Sequence, residues 1–289
     1  MLPVDRERKE LCESLLPGLI DAIQKAAAEV QRLFLSRSFA VSEKGPGDLL
    51  TSADLASNDI LHDALTKLLP DAVWISEESA QSEARQSHRF AWIVDPIDGT
   101  KEFAGGIPEY SISVGLVADG LPILGAVALP AEGLLFAGGI DVGVFELDEK
   151  ERRRIQSTVT PALNEASILV SSTEFKKGVF EDAVFADLRL HPTGSVARKL
   201  ALIAGGRGDA NISLYPKNEW DICGGIALVL GAGGKALHLN LETQEWEAHR
   251  FNAASLLTYG LIAGSSDLVD ALCKRQQEER WPVRREYGR

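Results

Sequence analysis

Apolar residues recur at helical spacing through Leu16, Leu19, Ile20, Ile23, Ala27, Val30 and Leu33, with Lys25, Glu29 and Arg32 on the opposite side. That period predicts an amphipathic N-terminal helix, with Pro17 in its first turn or at a kink. The stretch Ser42 to Asp48, Ser-Glu-Lys-Gly-Pro-Gly-Asp, predicts a loop. A second helix is expected from near Ser52 to Asp54 to about Leu69, where Pro70-Asp71 stops it.

The pattern then changes to short apolar runs. Ala72 to Ser76 and Phe90 to Val94 read as strands, each followed at once by acids. From Tyr110 to about Leu147, β-rich runs punctuated by glycine predict a meander of antiparallel strands. Further on, Ala166 to Val170 and Leu257 to Ala263 read as strands. Gly194 to about Gly205, Trp220 to Leu230 and Ser265 to about Arg280 read as helices, the second ended by Gly231-Ala-Gly-Gly234. The charged run Asp148 to Arg154 is expected to be an exposed turn between two halves, an α+β half over 1–150 and an α/β half over 151–289. Helices alternating with mixed strands predict a layered α/β to α+β sandwich.

Composition narrows the function. The chain has 289 residues, 45% of them hydrophobic and 25% charged, so it has ample apolar surface to bury. A net charge of −12 speaks against coating a nucleic-acid polymer, which needs a basic face, and suits carboxylates that hold divalent cations. Cys12, Cys223 and Cys273 are too few and too scattered for a disulfide framework or a zinc site. The charged start lacks a signal-peptide h-region, and the most apolar run, Ile222 to Gly234, is too short to span a bilayer. These readings predict a cytoplasmic protein without a membrane partner.

The chemistry concentrates in acids at strand ends: Glu77 and Glu78, Asp95 and Asp98, and Asp221 at the start of a helix in the second half. In Val94-Asp-Pro-Ile-Asp-Gly-Thr100, Pro96 stiffens the chain, so one turn can aim both carboxylates and the Ile97 carbonyl at one point. Those hard oxygen donors suit Mg²⁺. Gly99 permits close backbone approach, and free N–H groups at Gly99 and Thr100 would receive an anion such as phosphate. Glu78 reads equally as a metal ligand or as an acid that is exposed or stands behind the ligands.

These residues form a recognisable set. Trp92 to Thr100 resembles the signature of the inositol monophosphatase superfamily of Mg²⁺-dependent, lithium-sensitive phosphatases. Ser76-Glu-Glu-Ser79 is similar to its acidic motif, Glu219-Trp-Asp221 to its C-terminal motif, and Asp48-Leu-Leu-Thr-Ser-Ala-Asp54 to its N-terminal one. The resemblance implies a layered αβαβα sandwich, a homodimer and two or three Mg²⁺ ions. It implies that Glu77, Asp95 and the Ile97 carbonyl bind one metal, and Asp95, Asp98 and Asp221 a second. Glu77 and Thr100 would orient and deprotonate a metal-activated water, with Asp54 near a third metal or that water. Gly99, Thr100, Gly194 and Ser195 would cradle the phosphate.

Thr100-Lys-Glu-Phe103 looks like the 3′(2′),5′-bisphosphate nucleotidases, which convert 3′-phosphoadenosine 5′-phosphate to AMP. Inositol enzymes continue Thr-Asn-Phe and carry a glutamate where this chain has Leu214, which cannot accept bonds from ring hydroxyls. Arg198, Lys199 and Lys217 are candidates for a second phosphate, and Tyr215 for packing on a base. His191 and His238 need no catalytic role. The alternative is an inositol or other sugar-phosphate phosphatase.

Overall fold

The computed structural model describes residues 3–45, 48–79, 83–148, 150–155 and 160–286. Helix α1 (Pro3–Ser36) begins far enough upstream that Pro17 falls in its interior, not in its first turn. Strands β1 (Val41–Gly45) and β2 (Asp48–Thr51) then pair antiparallel. The expected loop at 42–48 is therefore largely a hairpin of paired strands, and Pro46 and Gly47 lie outside the described residues. Thr51 caps helix α2 (Ser52–Leu68) in a reciprocal capping box with Asp54.

Strands β3 (Ala72–Ser76), β4 (Phe90–Asp98), β5 (Ser111–Ala118), β6 (Leu121–Leu129), β7 (Leu134–Gly139), β8 (Gly143–Leu147) and β9 (Arg152–Arg154) form one sheet in that order. The β3–β4 pair is parallel and the others are antiparallel, as a meander requires. Part of the run expected as a turn, Arg152 to Arg154, is thus an edge strand, and three arginines there discourage pairing with another chain. The short helix α3 (Thr100–Gly105) leaves the end of β4.

The second half continues with β10 (Ser167–Ser171), α4 (Ser172–Lys176), β11 (Arg189–Thr193), α5 (Val196–Ala204), β12 (Ala210–Ser213), β13 (Lys217–Asn218) and α6 (Glu219–Gly231). It closes with β14 (Lys235–Leu239), β15 (Trp246–Ala248), β16 (Leu257–Thr258), β17 (Leu261–Gly264) and α7 (Ser266–Glu279). Its sheet has the order β11-β10-β12-β17-β14-β15, while β13 and β16 form a separate pair. The segment 257–263, expected as one strand, is split at Gly260, whose φ of +65 breaks an extended chain.

Period-two alternation builds the layers. Trp92 and Val94 of β4 point into a core with α1 and α2, whereas Ala91 and Ile93 point into a second core with α5 and α6. The other side of α5 and α6 meets Leu169, Ala236, Leu261 and Ala263 of the second sheet. That sheet's far face, with Ile168, Val170, Ala210, Ile212 and Ile262, packs on Leu268, Val269 and Leu272 of α7. The result is the expected αβαβα sandwich. The apolar run in α6 is explained by its place between two sheets, where every face is buried. Close approach needs glycine on both sides: a Cβ on Gly125 of β6 would lie 2.2 Å from the Gly224 carbonyl oxygen. Among the described residues no helix is long and apolar enough to cross a membrane.

Candidate active site

The strand β4 does not stop at Val94. It continues to Asp98 through an irregularity in its pairing with β5, where Asp95 faces Ser113 and Asp98 faces Ser111. This bulge holds Pro96 and Ile97, and the Ser57 hydroxyl of α2 donates to the Pro96 carbonyl at 2.9 Å. Gly99 follows with φ of +96, and a Cβ there would meet the Glu109 carbonyl at 3.1 Å, so the turn into α3 requires glycine. Glu77 comes from the end of neighbouring β3, its N–H on the Val94 carbonyl. Asp221 comes from the first turn of α6.

These elements enclose one cavity of about 670 Å³. Its walls include Glu77, Asp95, Ile97, Asp98, Gly99, Thr100, Gly194, Ser195 and Asp221. Acids distant in sequence therefore share one space. Burial pushes the Asp95 carboxyl well above the usual range, and Glu77, Asp98, Asp221 and Asp54 push it further. Asp221 is raised well above the usual range by the same causes: burial first, then Asp98 and Glu77. Burial also raises Asp98 and Asp54, and it raises Glu77 to about 7. Three of the carboxylates rest one oxygen on a backbone N–H: Asp95 on Ile97 at 3.0 Å, Asp98 on Ala197 at 2.7 Å, Asp221 on Asn218 at 2.9 Å. Such anchoring aims the remaining oxygen of each.

The donor set fits a hard divalent cation: four mutually repelling carboxylates and a bulged carbonyl, with no soft ligand in the cavity wall. An ammonium already neutralises part of it. Lys44 of the hairpin donates to Glu77 at 2.5 Å and to Glu78 at 2.9 Å. Among the described residues no three of these acids stand close enough to clasp one ion in this arrangement, as like charges held on separate N–H anchors would dispose themselves. Glu78 sits on the Lys44 bridge and is not part of the cavity wall.

Thr100 opens α3 and its hydroxyl lies 3.0 Å from both Asp54 Oδ1 and the Ile97 carbonyl. Asp54 also accepts the Thr51 N–H at 2.8 Å and the Thr51 hydroxyl at 2.5 Å. On the opposite wall, Ser195 donates to Asp98 Oδ2 at 2.6 Å and caps α5 by accepting the Arg198 N–H at 3.0 Å.

The cations expected to meet substrate behave differently. Lys199 is only 2% exposed, and its Nζ donates to the carbonyls of Thr193, Gly194 and Ser195 at 3.2, 3.4 and 2.7 Å. An ammonium has three donors, so contact with a phosphate would require giving one up. Burial lowers its pKa to about 8. Lys217 pairs with Glu174 at 3.1 Å, and Arg198 is held by Glu132 at 2.8 Å and Thr193 at 2.7 Å. Lys177, which the sequence did not single out, lines the cavity with its ammonium 5.6 Å from the centre of the Tyr215 ring. Leu214 is buried in the core below, and the nearby wall carries Glu174, which accepts from Ser213, the Leu214 N–H and Lys217. A carboxylate therefore stands near the place where Leu214 lacks one, already committed to three donors. His191 is exposed on β11, and His238 packs on His249; neither lines the cavity.

The raised carboxyls set a pH dependence. Glu77 titrates at about 7 in the folded chain against an ordinary 4.5, so the folded state binds more protons between those values. Stability is then full below about 4.5 and is lost as pH rises towards 7. In buffer free of divalent cations, the melting temperature is expected to fall by several degrees across that window and to fall less in Glu77→Gln. A profile that rises across the window, or is equally steep in the variant, contradicts the assignment.

Residues 12–280 match the model of the inositol monophosphatase family. Inositol monophosphatase 3 of Solanum lycopersicum is 31% identical over 77% of this chain and 85% of its own length. The 3′(2′),5′-bisphosphate nucleotidase CysQ of Aggregatibacter actinomycetemcomitans is 30% identical over 80% of this chain and 87% of its own. The solved structure of a Thermotoga maritima IMPase superposes with a TM-score of 0.73 at 27% identity, over 90% of this chain and 95% of that one. The matched family and the fold are those of phosphatases. The chain belongs to the inositol monophosphatase family.

Proposed function

We propose that the protein is a Mg²⁺-dependent phosphomonoesterase whose preferred substrate is a 3′(2′),5′-bisphosphate nucleotide, hydrolysed at the 3′-position. The observation that carries the phosphatase reading is the meeting of Glu77, Asp95, Asp98, Asp221 and the Ile97 carbonyl in one cavity beside the start of α3. Those five groups would hold the divalent cations, which supply water activation and charge neutralisation on the phosphate.

The chain's own residues do the rest. Thr100 Oγ donates its single proton to Asp54 Oδ1, which leaves a lone pair on Oγ to accept from the attacking water. Glu77 accepts the water's second hydrogen. As the water attacks and the P–O bond to the 3′-oxygen breaks, its proton passes to Thr100 Oγ while the hydroxyl proton moves to Asp54 Oδ1, whose pKa burial has already raised, and the departing 3′-oxygen takes a proton from solvent. The N–H groups at Gly99 and Thr100 and the Gly194-Ser195 turn orient the phosphate from two sides.

Three features support the nucleotide. Thr100-Lys-Glu-Phe103 is the variant that the nucleotidases resemble. The cavity, at about 670 Å³, exceeds what a bare phosphate needs. Lys177 beside Tyr215 offers a cation and a ring on the wall supplied by the C-terminal half. A second reading, an inositol phosphatase, is favoured by the Solanum relative and by Glu174, a carboxylate in the cavity wall. A panel measuring released phosphate decides between them. We expect kcat/KM at least about tenfold higher for 3′-phosphoadenosine 5′-phosphate than for inositol 1-phosphate, the scale of one lost charged contact. The reverse order overturns the nucleotide assignment. Inhibition by lithium, a homodimer and a cytoplasmic location accompany this reading through the family resemblance.

A further inference from the structure

Lys199 is an unusual feature of the cavity wall. A lysine at 2% exposure is costly unless its donors are matched, and here three consecutive carbonyls match them. Those carbonyls, from Thr193, Gly194 and Ser195, belong to the turn between β11 and α5. Its last residue, Ser195, has φ of 51, a left-handed conformation that a side chain disfavours. Something must hold it there. What the turn presents is specific: Ser195 Oγ at 2.6 Å and the Ala197 N–H at 2.7 Å both donate to Asp98 Oδ2. Ser111 lies 2.8 Å from Ser195 Oγ, and with Ser195 donating to Asp98, Ser111 is the donor in that pair.

We propose that Lys199 is a positioning residue: by gathering the three carbonyls it holds the Ser195 turn in its left-handed form, so that Ser195 and Ala197 fix the orientation of Asp98. This rests on the reading of Asp98 as a cation ligand. Lys199 then acts two bonds removed from the cation and touches neither it nor the phosphate. The arrangement also explains why a lysine, and not a shorter donor, stands one turn into α5: only a long flexible stem folds back from position 199 over the carbonyls at 193 to 195.

The test is a double-mutant cycle on the full chain with Lys199→Met and Ser195→Gly, in which glycine relieves the strained φ and removes the hydroxyl. Mn²⁺ binding is measured by titration calorimetry, and kcat and KM are measured separately. Lys199→Met is expected to weaken Mn²⁺ binding about tenfold, the loss typical of a residue that orients a metal ligand. Ser195→Gly is expected to weaken it by a similar factor, and the double variant to be no weaker than either single one. A raised KM with unchanged Mn²⁺ affinity would make Lys199 a phosphate ligand and overturn the proposal. So would additive losses, or a lower melting temperature as the sole change. If Lys199→Met does not fold, unchanged Mn²⁺ affinity in Ser195→Gly overturns it equally. Wild-type protein that binds no Mn²⁺ removes the underlying reading as well, whereas wild-type binding matched by Lys199→Met removes this inference alone.

Discussion

Asp95→Asn is expected to lower kcat by about a thousandfold or more, the scale lost when the electrostatic core of a phosphoryl-transfer site is broken. The same substitution should raise the melting temperature in buffer free of divalent cations. Asp95 is 1% exposed, and four other carboxylates raise its pKa, so its charge opposes folding when nothing neutralises it. Asparagine removes the charge and keeps an oxygen that can accept the Ile97 N–H. A purely structural aspartate would show the opposite sign, losing the charge-assisted part of its hydrogen bond. Activity and thermal melting measured on the same preparation separate the two: an active Asp95→Asn protein, or an inactive one of lower melting temperature, contradicts the role assigned to this residue.

Chelation carries the second large effect. Removing divalent cations with EDTA is expected to suppress turnover by at least about a thousandfold, and adding Mg²⁺ back should restore it. Binding also stabilises the folded chain. At a hundred times the dissociation constant a single site contributes about 2.7 kcal/mol, which moves the melting temperature of a chain of this size by about 4–5 °C. The shift should be larger at pH 8 than at pH 5. Above about 7 Glu77 is ionised and ready to bind, whereas at lower pH the cation must displace protons from raised carboxyls. Equal shifts at both pH values, or unchanged activity in EDTA, would contradict cation binding by this cluster.

Much of this architecture is written in local sequence. The seven apolar positions from Leu16 to Leu33 share one helical face, and six of them are buried in the first core while Ala27 packs at its margin. The glycine-punctuated runs after Tyr110 become adjacent antiparallel strands because each alternates between two cores. The acids of the Val94 to Thr100 motif were legible because proline, glycine and carboxylates at that spacing leave few other uses.

What was not legible depended on distant partners. Gly-Pro-Gly within 45–47 signals a break, but the pairing of Val41 with Thr51 around it depends on residues on both sides of the break, not on the break itself. Lys44 reads as a solvated charge until the hairpin sets its ammonium on Glu77 and Glu78. Lys199 looks like a phosphate ligand beside Gly-Ser, and nothing local says that it folds back on three carbonyls. Glu174 carries no motif at all; its importance comes from the end of β12, where Ser213 and the following Leu214 reach it across the fold. Glu219 stands in the sequence only as part of a motif, yet its carboxylate accepts the N–H groups of Asn252 and Ala253, which ties α6 to a later loop.

The most direct measurement is a crystal structure grown with Mn²⁺, with the ions located by their anomalous signal. The account requires an ion ligated by both Asp95 and Asp221, with Glu77 released from Lys44 to share in the coordination. An ion bound elsewhere, or Asp221 turned from Asp95 with Mn²⁺ present, would contradict it.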